Sequence, residues 1–119
     1  MTRLLVVEDD TDMREVLQLV LERMGHEVVV AASVEEATAA ARDRTFDLVM
    51  SDIGLPGESG LGLLRRLDLP AHVPTIAMSG YGSDRDREES KRAGFTEHLV
   101  KPVAPAQLRE AVTRLLAAR

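Results

Sequence analysis

Short, largely apolar runs alternate with longer amphipathic stretches along the whole chain. Apolar runs of this length predict strands that are buried on both faces of a sheet. Five are present, at Leu4–Val7, Val28–Val30, Leu48–Ser51, Thr75–Met78 and His98–Val100. After the first, third and fifth runs, apolar residues recur every three or four positions, which is typical of a helix with one buried face, and the second and fourth runs are followed by an alanine-rich and a strongly charged helix. Strand–helix alternation repeated five times predicts a doubly wound α/β domain with a parallel sheet.

The first helix has the clearest apolar stripe, and local signals mark the ends of several helices. The predicted core positions of this helix share one face: Met13, Val16, Leu17, Val20, Leu21 and Met24. Gly25 suits the position just after it. Ser33 and Glu36 form a capping-box pattern at the start of an alanine-rich second helix, and Ser83 is expected to open a charged fourth helix. Pro105 suits the first turn of the last helix.

Composition narrows the class of protein. The chain has 119 residues, 45% hydrophobic and 29% charged, which fits one globular domain over residues 1–119. The absence of cysteine excludes disulfides, thiolate catalysis and zinc–thiolate sites, and it is compatible with a reducing cytoplasm. A net charge of −5, with two Phe and one Tyr, argues against direct nucleic-acid binding. No apolar run approaches the roughly 20 residues of a membrane span, so we expect a cytoplasmic protein.

Charged and hydroxyl side chains stand directly at the ends of four of the five predicted strands. Glu8 and Asp9 follow the first strand, Asp52 the third, Ser79 the fourth and Lys101 the fifth. The carboxyl ends of parallel strands meet at one edge of the sheet, where such sheets bind their ligands. We therefore expect the carboxylates, the hydroxyl and the ammonium to form a single site.

Carboxylates gathered in one place repel each other and favour a cation between them. Two unit charges about 4 Å apart cost roughly 4 kcal/mol at an effective dielectric constant near 20. Lys101 offsets part of this cost, and Mg²⁺, which prefers carboxylate, water and phosphate oxygens, would offset more. Zinc or copper fits poorly, because His98 is the one histidine expected near this edge. Such a site is suited to accept a phosphoryl group, with Asp52 as the in-line nucleophile.

The chain contains a set of residues that resembles the receiver domain of bacterial two-component response regulators: Glu8-Asp9, Asp52, Ser79 and Lys101-Pro102. The resemblance covers the whole chain and implies a flavodoxin-like fold, with five strands in the order 2-1-3-4-5 and five helices. It implies that Asp52 takes a phosphoryl group from the phosphohistidine of a histidine kinase or histidine phosphotransfer domain, with Mg²⁺ as cofactor. The domain would then switch a surface that contacts a downstream output protein or domain. A receiver of this kind is autocatalytic without being a conventional enzyme.

The resemblance also implies a role for each residue around the metal. Asp9 would bind Mg²⁺ directly, and Glu8 would act mainly through metal-bound water. The backbone carbonyl of Gly54 would complete the protein ligands, together with Asp52. Lys101 would pair with a phosphoryl oxygen.

The residues implied in switching include one departure from the family pattern. Ser79 would turn its hydroxyl toward the phosphoryl group after transfer. His98 stands where the family usually has Tyr or Phe, and because imidazole titrates near neutral pH, we expect a pH-sensitive output face. Tyr81 occupies a position that tunes phosphate lifetime in this family. The peptide bond between Lys101 and Pro102 is expected to be cis.

Two other functions share parts of this pattern. Asp10-Thr11-Asp12 resembles the first motif of aspartate-nucleophile phosphatases of the haloacid dehalogenase type, but Arg14 stands where that motif has threonine. A flavin- or nucleotide-binding module is compatible with the fold class, yet no G-x-G-x-x-G follows the first strand. The receiver is therefore the leading interpretation, and the phosphatase is the alternative.

The context of the domain stays open at this point. The initial Met1 favours a complete single-domain regulator. The sequence around Asp52, Ser79 and Lys101 resembles the receivers of hybrid histidine kinases instead.

Overall fold

The computed structural model describes residues 1–55, 59–80 and 84–119. The strands are β1 (Arg3–Val7), β2 (Glu27–Ala31), β3 (Leu48–Asp52), β4 (Thr75–Ser79) and β5 (Glu97–Val100). The helices are α1 (Thr11–Arg23), α2 (Val34–Ala41), α3 (Leu63–Leu67), α4 (Asp84–Arg92) and α5 (Pro105–Ala118), with a 3-10 turn at Gly60–Gly62 before α3. The predictions made for Ser83 and Tyr81 lie outside the described residues. None of the described helices is long and apolar enough to cross a lipid bilayer.

All five strands are parallel, and they lie in the order β2-β1-β3-β4-β5. Leu5 in β1 is paired with Val29 on one side and with Val49 on the other. The chain therefore winds outward in one direction from β1 to β2 and in the other direction from β3 to β5. The predicted fold class and strand order are confirmed. The reversal of direction between β1 and β3 is the place where open parallel sheets bind ligands.

Two apolar layers cover the sheet, because successive side chains of a strand point to opposite faces. On one face, strand residues pack with the buried residues of α1 and α5: Leu4, Val6, Met50, Ile76 and Met78 with Leu17, Leu21, Leu108 and Val112. On the other face, they pack with α2, α3 and the loops beside them: Leu5, Val7 and Val49 with Val34, Ala37, Phe46, Leu55 and Leu63. Every residue of β3 and β4 is buried, so the ends of these strands are held firmly.

The apolar stripe of α1 is narrower than the sequence predicts. Leu17 and Leu21 are buried, but Val16 is 48% exposed, so its predicted place in the core is wrong. Val16 lies about 100° around the helix from Leu17, and this puts it at the edge of the face that meets the sheet. The same side of the helix also exposes Leu19 at 49%.

The predicted helix ends are formed largely as expected, with one variation. Asp10 caps α1 through its carboxylate, which accepts hydrogen bonds from amides of the first turn. Ser33 accepts a hydrogen bond from the Glu36 amide at 3.1 Å. The Glu36 carboxylate, however, accepts from the amide of Ala32 rather than from that of Ser33, one residue earlier than in the usual capping box. Gly25 follows α1 at φ +97°, in the left-handed region that favours glycine.

Candidate functional site

The carboxyl edge of the sheet brings the predicted site residues together. Glu8 and Asp9 follow β1, Asp52 ends β3, Ser79 ends β4 and Lys101 follows β5. Carboxylate oxygens of Glu8, Asp9 and Asp52 all lie within 4.8 Å of one another. Parallel pairing is the cause, since it places the same end of every strand at this edge.

A single ammonium joins two of these carboxylates. Lys101 Nζ donates a hydrogen bond to Asp52 Oδ2 at 2.7 Å and lies 2.5 Å from Glu8 Oε1. Burial by itself lowers the pKa of Lys101, but the hydrogen bonds and charges of Asp52 and Glu8 outweigh burial and raise that pKa. Lys101 therefore stays charged at neutral pH and holds the two acidic strand ends side by side.

Glu8 is in the least favourable position of the three carboxylates. Its side chain is fully buried, and burial raises the pKa of Glu8 despite the opposing effect of Lys101. Oε2 accepts a hydrogen bond from the Asp10 amide at 3.2 Å. Oε1 touches the Lys101 ammonium, yet within the described ranges it is the one buried side-chain oxygen that lacks a well-oriented hydrogen bond. A buried carboxylate oxygen in this state is a good acceptor for a further cation.

The donor atoms of the cluster fit Mg²⁺. As far as the described residues go, the cluster of possible ligand groups consists of carboxylates alone. Hard oxygen donors of this kind suit Mg²⁺, whereas zinc and copper favour ring nitrogen or thiolate. Asp9 is exposed beside the buried pair Glu8 and Asp52, so the cluster opens to solvent on one side. Three carboxylates face one ammonium, and a divalent ion would correct that imbalance.

Backbone contacts fix the direction of the Asp52 carboxylate. The amide of Gly54 donates to Asp52 Oδ1 at 2.8 Å, leaving Oδ2 for Lys101. Gly60 packs directly against the same residue: a Cβ added to Gly60 would lie 2.1 Å from the backbone oxygen of Asp52. The Ser59 hydroxyl donates a hydrogen bond to the carbonyl of Ile53 at 3.0 Å, which holds Ser59 close to the end of β3. The sequence suggests Gly60 only as a turn residue, and its contact with Asp52 becomes visible in the folded chain.

Ser79 and His98 form a hydrogen-bonded chain that reaches helix α4. Ser79 Oγ lies 2.8 Å from His98 Nε2, and His98 Nδ1 lies 2.9 Å from Ser90 Oγ. Ser90 donates its single hydroxyl proton to the carbonyl of Arg87 at 3.0 Å. With the Ser90 proton on the Arg87 carbonyl, a neutral His98 ring carries its own proton on Nδ1, which donates to Ser90, and Nε2 accepts from the Ser79 hydroxyl. Burial lowers the pKa of His98, and the charge of Arg87 lowers it further, so the ring is neutral at neutral pH.

Two further features complete the edge of the site. The peptide bond between Lys101 and Pro102 is cis, as the resemblance implies, and the Lys101 amide donates to the carbonyl of Ser79 at 2.7 Å. A cleft of about 460 Å³ opens between the strand ends and α4, lined by Asp52, Ser79 and Lys101 on one side and by Asp86 and Glu89 on the other. The ends of β3, β4 and β5 therefore face this open cleft.

Comparisons with known proteins agree with this geometry. A sequence model of the family described as "Response regulator receiver domain" matches residues 4–113. The phosphate regulon transcriptional regulatory protein PhoB of Pseudomonas aeruginosa is 34% identical over 117 residues, which cover 96% of this chain but 50% of PhoB.

Solved structures are similar over nearly the full length. A CheY-like response regulator receiver domain protein from Methanospirillum hungatei is 33% identical, with a TM-score of 0.91, and the match covers 99% of this chain and 95% of that one. The receiver domain of a sensor histidine kinase from Pseudomonas aeruginosa is 27% identical, with a TM-score of 0.87 and 98% of each chain covered. That structure has a magnesium ion coordinated in its active-site cleft. The present chain belongs to the response regulator receiver domain family and is a component of phosphorelay signal transduction.

Proposed function

We propose that Asp52 accepts a phosphoryl group from a phosphohistidine and that the domain acts thereby as a phosphorelay switch. The observation that carries the proposal is the position of Lys101 Nζ, 2.7 Å from Asp52 and 2.5 Å from the buried Glu8. This ammonium stands where negative charge would build up on the phosphoryl oxygens. Positioning and charge stabilisation of this kind supply most of the catalysis in phosphoryl transfer.

The transfer step follows from the carboxylate and its neighbours. A carboxylate oxygen of Asp52 attacks the phosphorus, and the bond from phosphorus to the donor imidazole nitrogen breaks as the new oxygen–phosphorus bond forms. The electron pair of the broken bond returns to the donor ring. That ring leaves as neutral imidazole when it enters protonated on its other nitrogen. Lys101 faces the phosphoryl oxygens during the step, and the acyl phosphate is later hydrolysed by water at the same site.

Mg²⁺ would be held by the acidic cluster. Asp9 and Asp52 would be direct carboxylate ligands, Glu8 would act through metal-bound water, and the carbonyl of Gly54 would complete the set. The bound ion would supply the positive charge that three carboxylates and a phosphoryl group require. The buried Oε1 of Glu8, which touches Lys101 but lacks a well-oriented hydrogen bond, supports this assignment, as does the magnesium ion in the related receiver from Pseudomonas aeruginosa.

The partners follow from the same proposal. The donor is a histidine kinase or a histidine phosphotransfer domain, and a downstream protein or domain reads the phosphorylated surface. PhoB is named as a transcriptional regulatory protein, and one of the similar structures is the receiver of a sensor histidine kinase. With a net charge of −5, this chain would affect transcription through another domain rather than by contacting DNA itself. We place the domain in the cytoplasm, and we regard its self-dephosphorylation as autocatalytic rather than as enzymatic turnover.

The phosphatase alternative gains no support. Its nucleophile would be Asp10, whose carboxylate accepts hydrogen bonds from the amides of Asp12 and Met13 as the cap of α1. The contacts around Asp10 are those of a helix cap, and Lys101 pairs with Asp52 and Glu8 instead.

Acetyl phosphate with Mg²⁺ tests which aspartate is modified. We expect a labile adduct on the wild-type chain and on Asp10→Asn, but not on Asp52→Asn, as measured by intact mass followed by borohydride trapping and peptide mapping. Chelation of Mg²⁺ should abolish the adduct in both competent chains. An adduct that persists in Asp52→Asn but disappears in Asp10→Asn would support the phosphatase interpretation and overturn ours.

A further inference from the structure

His98 connects two parts of the molecule that phosphoryl transfer does not otherwise join. Its Nε2 meets Ser79 at the phosphoryl-acceptor site, and its Nδ1 meets Ser90, a helix residue that is 2% exposed. The ring stands on β5, while its two serine partners stand on β4 and α4. A neutral ring with one donor and one acceptor nitrogen satisfies both serines in the chain as described.

We propose that His98 is a positioning residue for Ser79 that is neutral while Asp52 is unphosphorylated and takes up a proton when Asp52 is phosphorylated. The inference rests on the proposed function, because it requires a phosphoryl group at Asp52. In the unphosphorylated domain, the neutral ring holds the Ser79 hydroxyl by accepting its proton. In the phosphorylated domain, the protonated ring donates to Ser79 while Ser79 donates to a phosphoryl oxygen.

The argument begins with the number of protons available. A serine hydroxyl has one proton, and when the ring proton of His98 is on Nδ1, Ser79 gives its own proton to Nε2 in the unphosphorylated domain. Once that proton turns to a phosphoryl oxygen, a neutral Nε2 would be left facing the lone pairs of Ser79. Proton uptake at Nε2 repairs this contact, because the new N–H can donate to the oxygen of Ser79. The bonds from His98 to Ser90 and from Ser90 to Arg87 remain as they are.

A change of tautomer would be the other way to make Nε2 a donor. It would move the ring proton from Nδ1 to Nε2, and Ser90 would then have to give its proton to Nδ1. Ser90 would lose its hydrogen bond to the carbonyl of Arg87. Proton uptake keeps the bonds from His98 to Ser90 and from Ser90 to Arg87, which the change of tautomer does not, and we therefore favour it.

Burial and charged neighbours both act on the His98 ring. Burial has the largest effect and lowers the pKa of His98, Arg87 of α4 lowers it further, and Asp86 of α4 raises it. The remaining charged groups of the 340 Å³ cavity beside the ring are Lys91 and Glu97. Phosphorylation replaces one carboxylate charge with roughly two phosphoryl charges on the side of Ser79, which favours an imidazolium.

The charge balance also involves α5 and β4. Glu97 is ion-paired with Arg114 of α5, so its charge is already compensated. From β4, the residue paired with His98 is the uncharged Ala77. When Mg²⁺ is bound in both states, phosphorylation is therefore the main change in charge that the ring would experience. A His98 pKa that is raised in the phosphorylated state makes that state more favourable as pH falls.

The three histidines of the chain allow a direct test by NMR. The pKa of each ring is measured from pH 5 to 8 with Mg²⁺, in the presence and absence of a beryllium fluoride mimic of the phosphoryl group. We expect the pKa of His98 to rise by about one unit when the mimic binds, while His26 and His72 serve as internal references. A His98 pKa that moves no more than those of the references would overturn the inference.

Substitutions separate the hydrogen bond from the added charge. Ser79→Thr keeps the hydroxyl, so the shift at His98 should persist, whereas Ser79→Ala at saturating mimic should lose most of it. A full shift in Ser79→Ala would show that the hydrogen bond to Ser79 is not involved. His98→Gln can donate and accept without titrating. The ratio of wild-type to His98→Gln affinity for the mimic should therefore rise about tenfold from high to low pH.

Fluorine NMR of the bound mimic distinguishes the failure of this inference from failure of the proposed function. If bound fluoride signals appear in the wild type and not in Asp52→Asn, while His98 does not respond, the inference fails and the proposed function stands. If no Mg²⁺-dependent signals appear at Asp52, both are overturned. Circular dichroism melting curves confirm that each variant is folded before it is compared.

Discussion

The two ends of strand β3 carry an aspartate each, and the two aspartates have opposite surroundings. Asp47, just before the strand, accepts a hydrogen bond from the Arg3 amide at 2.7 Å and another from the Arg119 guanidinium at 2.6 Å. Asp52, at the other end, shares Lys101 with the buried Glu8. Each carboxylate accepts from one backbone amide, but Asp47 pairs with its own cation, whereas Asp52 shares its cation with Glu8.

Ionisation is also affected differently at the two edges, as Asp47 on one side and Glu8 on the other show. The hydrogen bond from the Arg3 amide, opposed by burial and assisted by Arg119, lowers the pKa of Asp47. At the carboxyl edge, burial raises the pKa of Glu8. The edge of the sheet where the strands begin is therefore stabilised by the Asp47 carboxylate. The edge where the strands end retains unfavourable negative charge, which a metal ion can neutralise. Acidic residues alone do not mark a site; their unmatched charge does.

Of the substitutions at the two edges, Lys101→Met should cause the largest loss in the free energy of unfolding. It removes the ammonium but keeps the length of the side chain, so Glu8 becomes a buried charge beside Asp52 with no cation. We expect the metal-free free energy of unfolding to fall by about 3 kcal/mol at pH 7, measured by urea denaturation in EDTA. The deficit should shrink as pH falls, because Glu8 would then have a still higher pKa and would take up a proton. A loss below about 1 kcal/mol would contradict the role given to Lys101.

Gly60→Ala tests the backbone support under Asp52. The new Cβ would lie 2.1 Å from the Asp52 backbone oxygen, so either the turn or the strand end must move. We expect a loss of about 2 kcal/mol in unfolding free energy and slower modification by acetyl phosphate. Gly80→Ala is the matched control, because a Cβ there meets no atom of the described residues within 4 Å. Equal losses in the two variants would mean that the contact with Asp52 is unimportant.

Asp52→Asn and Asp47→Asn should change stability in opposite directions. In EDTA, Asp52 feels two like charges and one ammonium, so neutralising it should raise the free energy of unfolding by about 1 kcal/mol. Mg²⁺ should abolish this gain, since the wild type alone keeps the full ligand set. A stability in EDTA that is unchanged or lower would count against crowded carboxylates at this edge.

Asp47→Asn is the control for Asp52→Asn, because it should lower the free energy of unfolding rather than raise it. It weakens charge-assisted hydrogen bonds from Arg3 and Arg119, so we expect a loss of about 1 kcal/mol at pH 7. The pKa of Asp47 is lowered in the folded chain, so the wild-type advantage is present above the ordinary aspartate pKa of 3.8. It should disappear as pH falls through the folded-state pKa. Urea denaturation of both chains from pH 2.5 to 7 measures this.

Most of the site could be predicted because its residues occupy strand ends. Apolar runs identify the strands, and the parallel sheet then places Glu8, Asp52 and Lys101 at one edge whatever the details of packing. The strand order came from the family resemblance. The apolar pattern of α1 did not reveal that Val16 is exposed, because the width of a buried helix face depends on the neighbours it meets.

Contacts that depend on tertiary placement escaped prediction. Ser90 lies within a strongly charged helix, and no local pattern separates it from a surface serine, yet it is buried against His98. Gly60 has the sequence signature of a turn, and its steric role requires knowing which backbone lies beneath it. Arg119 and Asp47 are 72 residues apart, so their ion pair has no local signal.

Arg119→Met should cause the smallest loss in the free energy of unfolding, and it is the counterpart of Lys101→Met at the other edge of the sheet. Arg119 pairs with Asp47, but the two side chains are 30% and 36% exposed, and solvent weakens pairs of this kind. The Arg3 amide is the main cause of the lowered pKa of Asp47, so that pKa should stay below its ordinary value in the variant. We expect a loss of about 0.3 kcal/mol in the free energy of unfolding, with the carboxyl titration of Asp47 followed by NMR. A loss in the free energy of unfolding as large as that of Lys101→Met would contradict this expectation. In that case the carboxylates at both edges would depend equally on a single cation, and the contrast between the edges would be wrong.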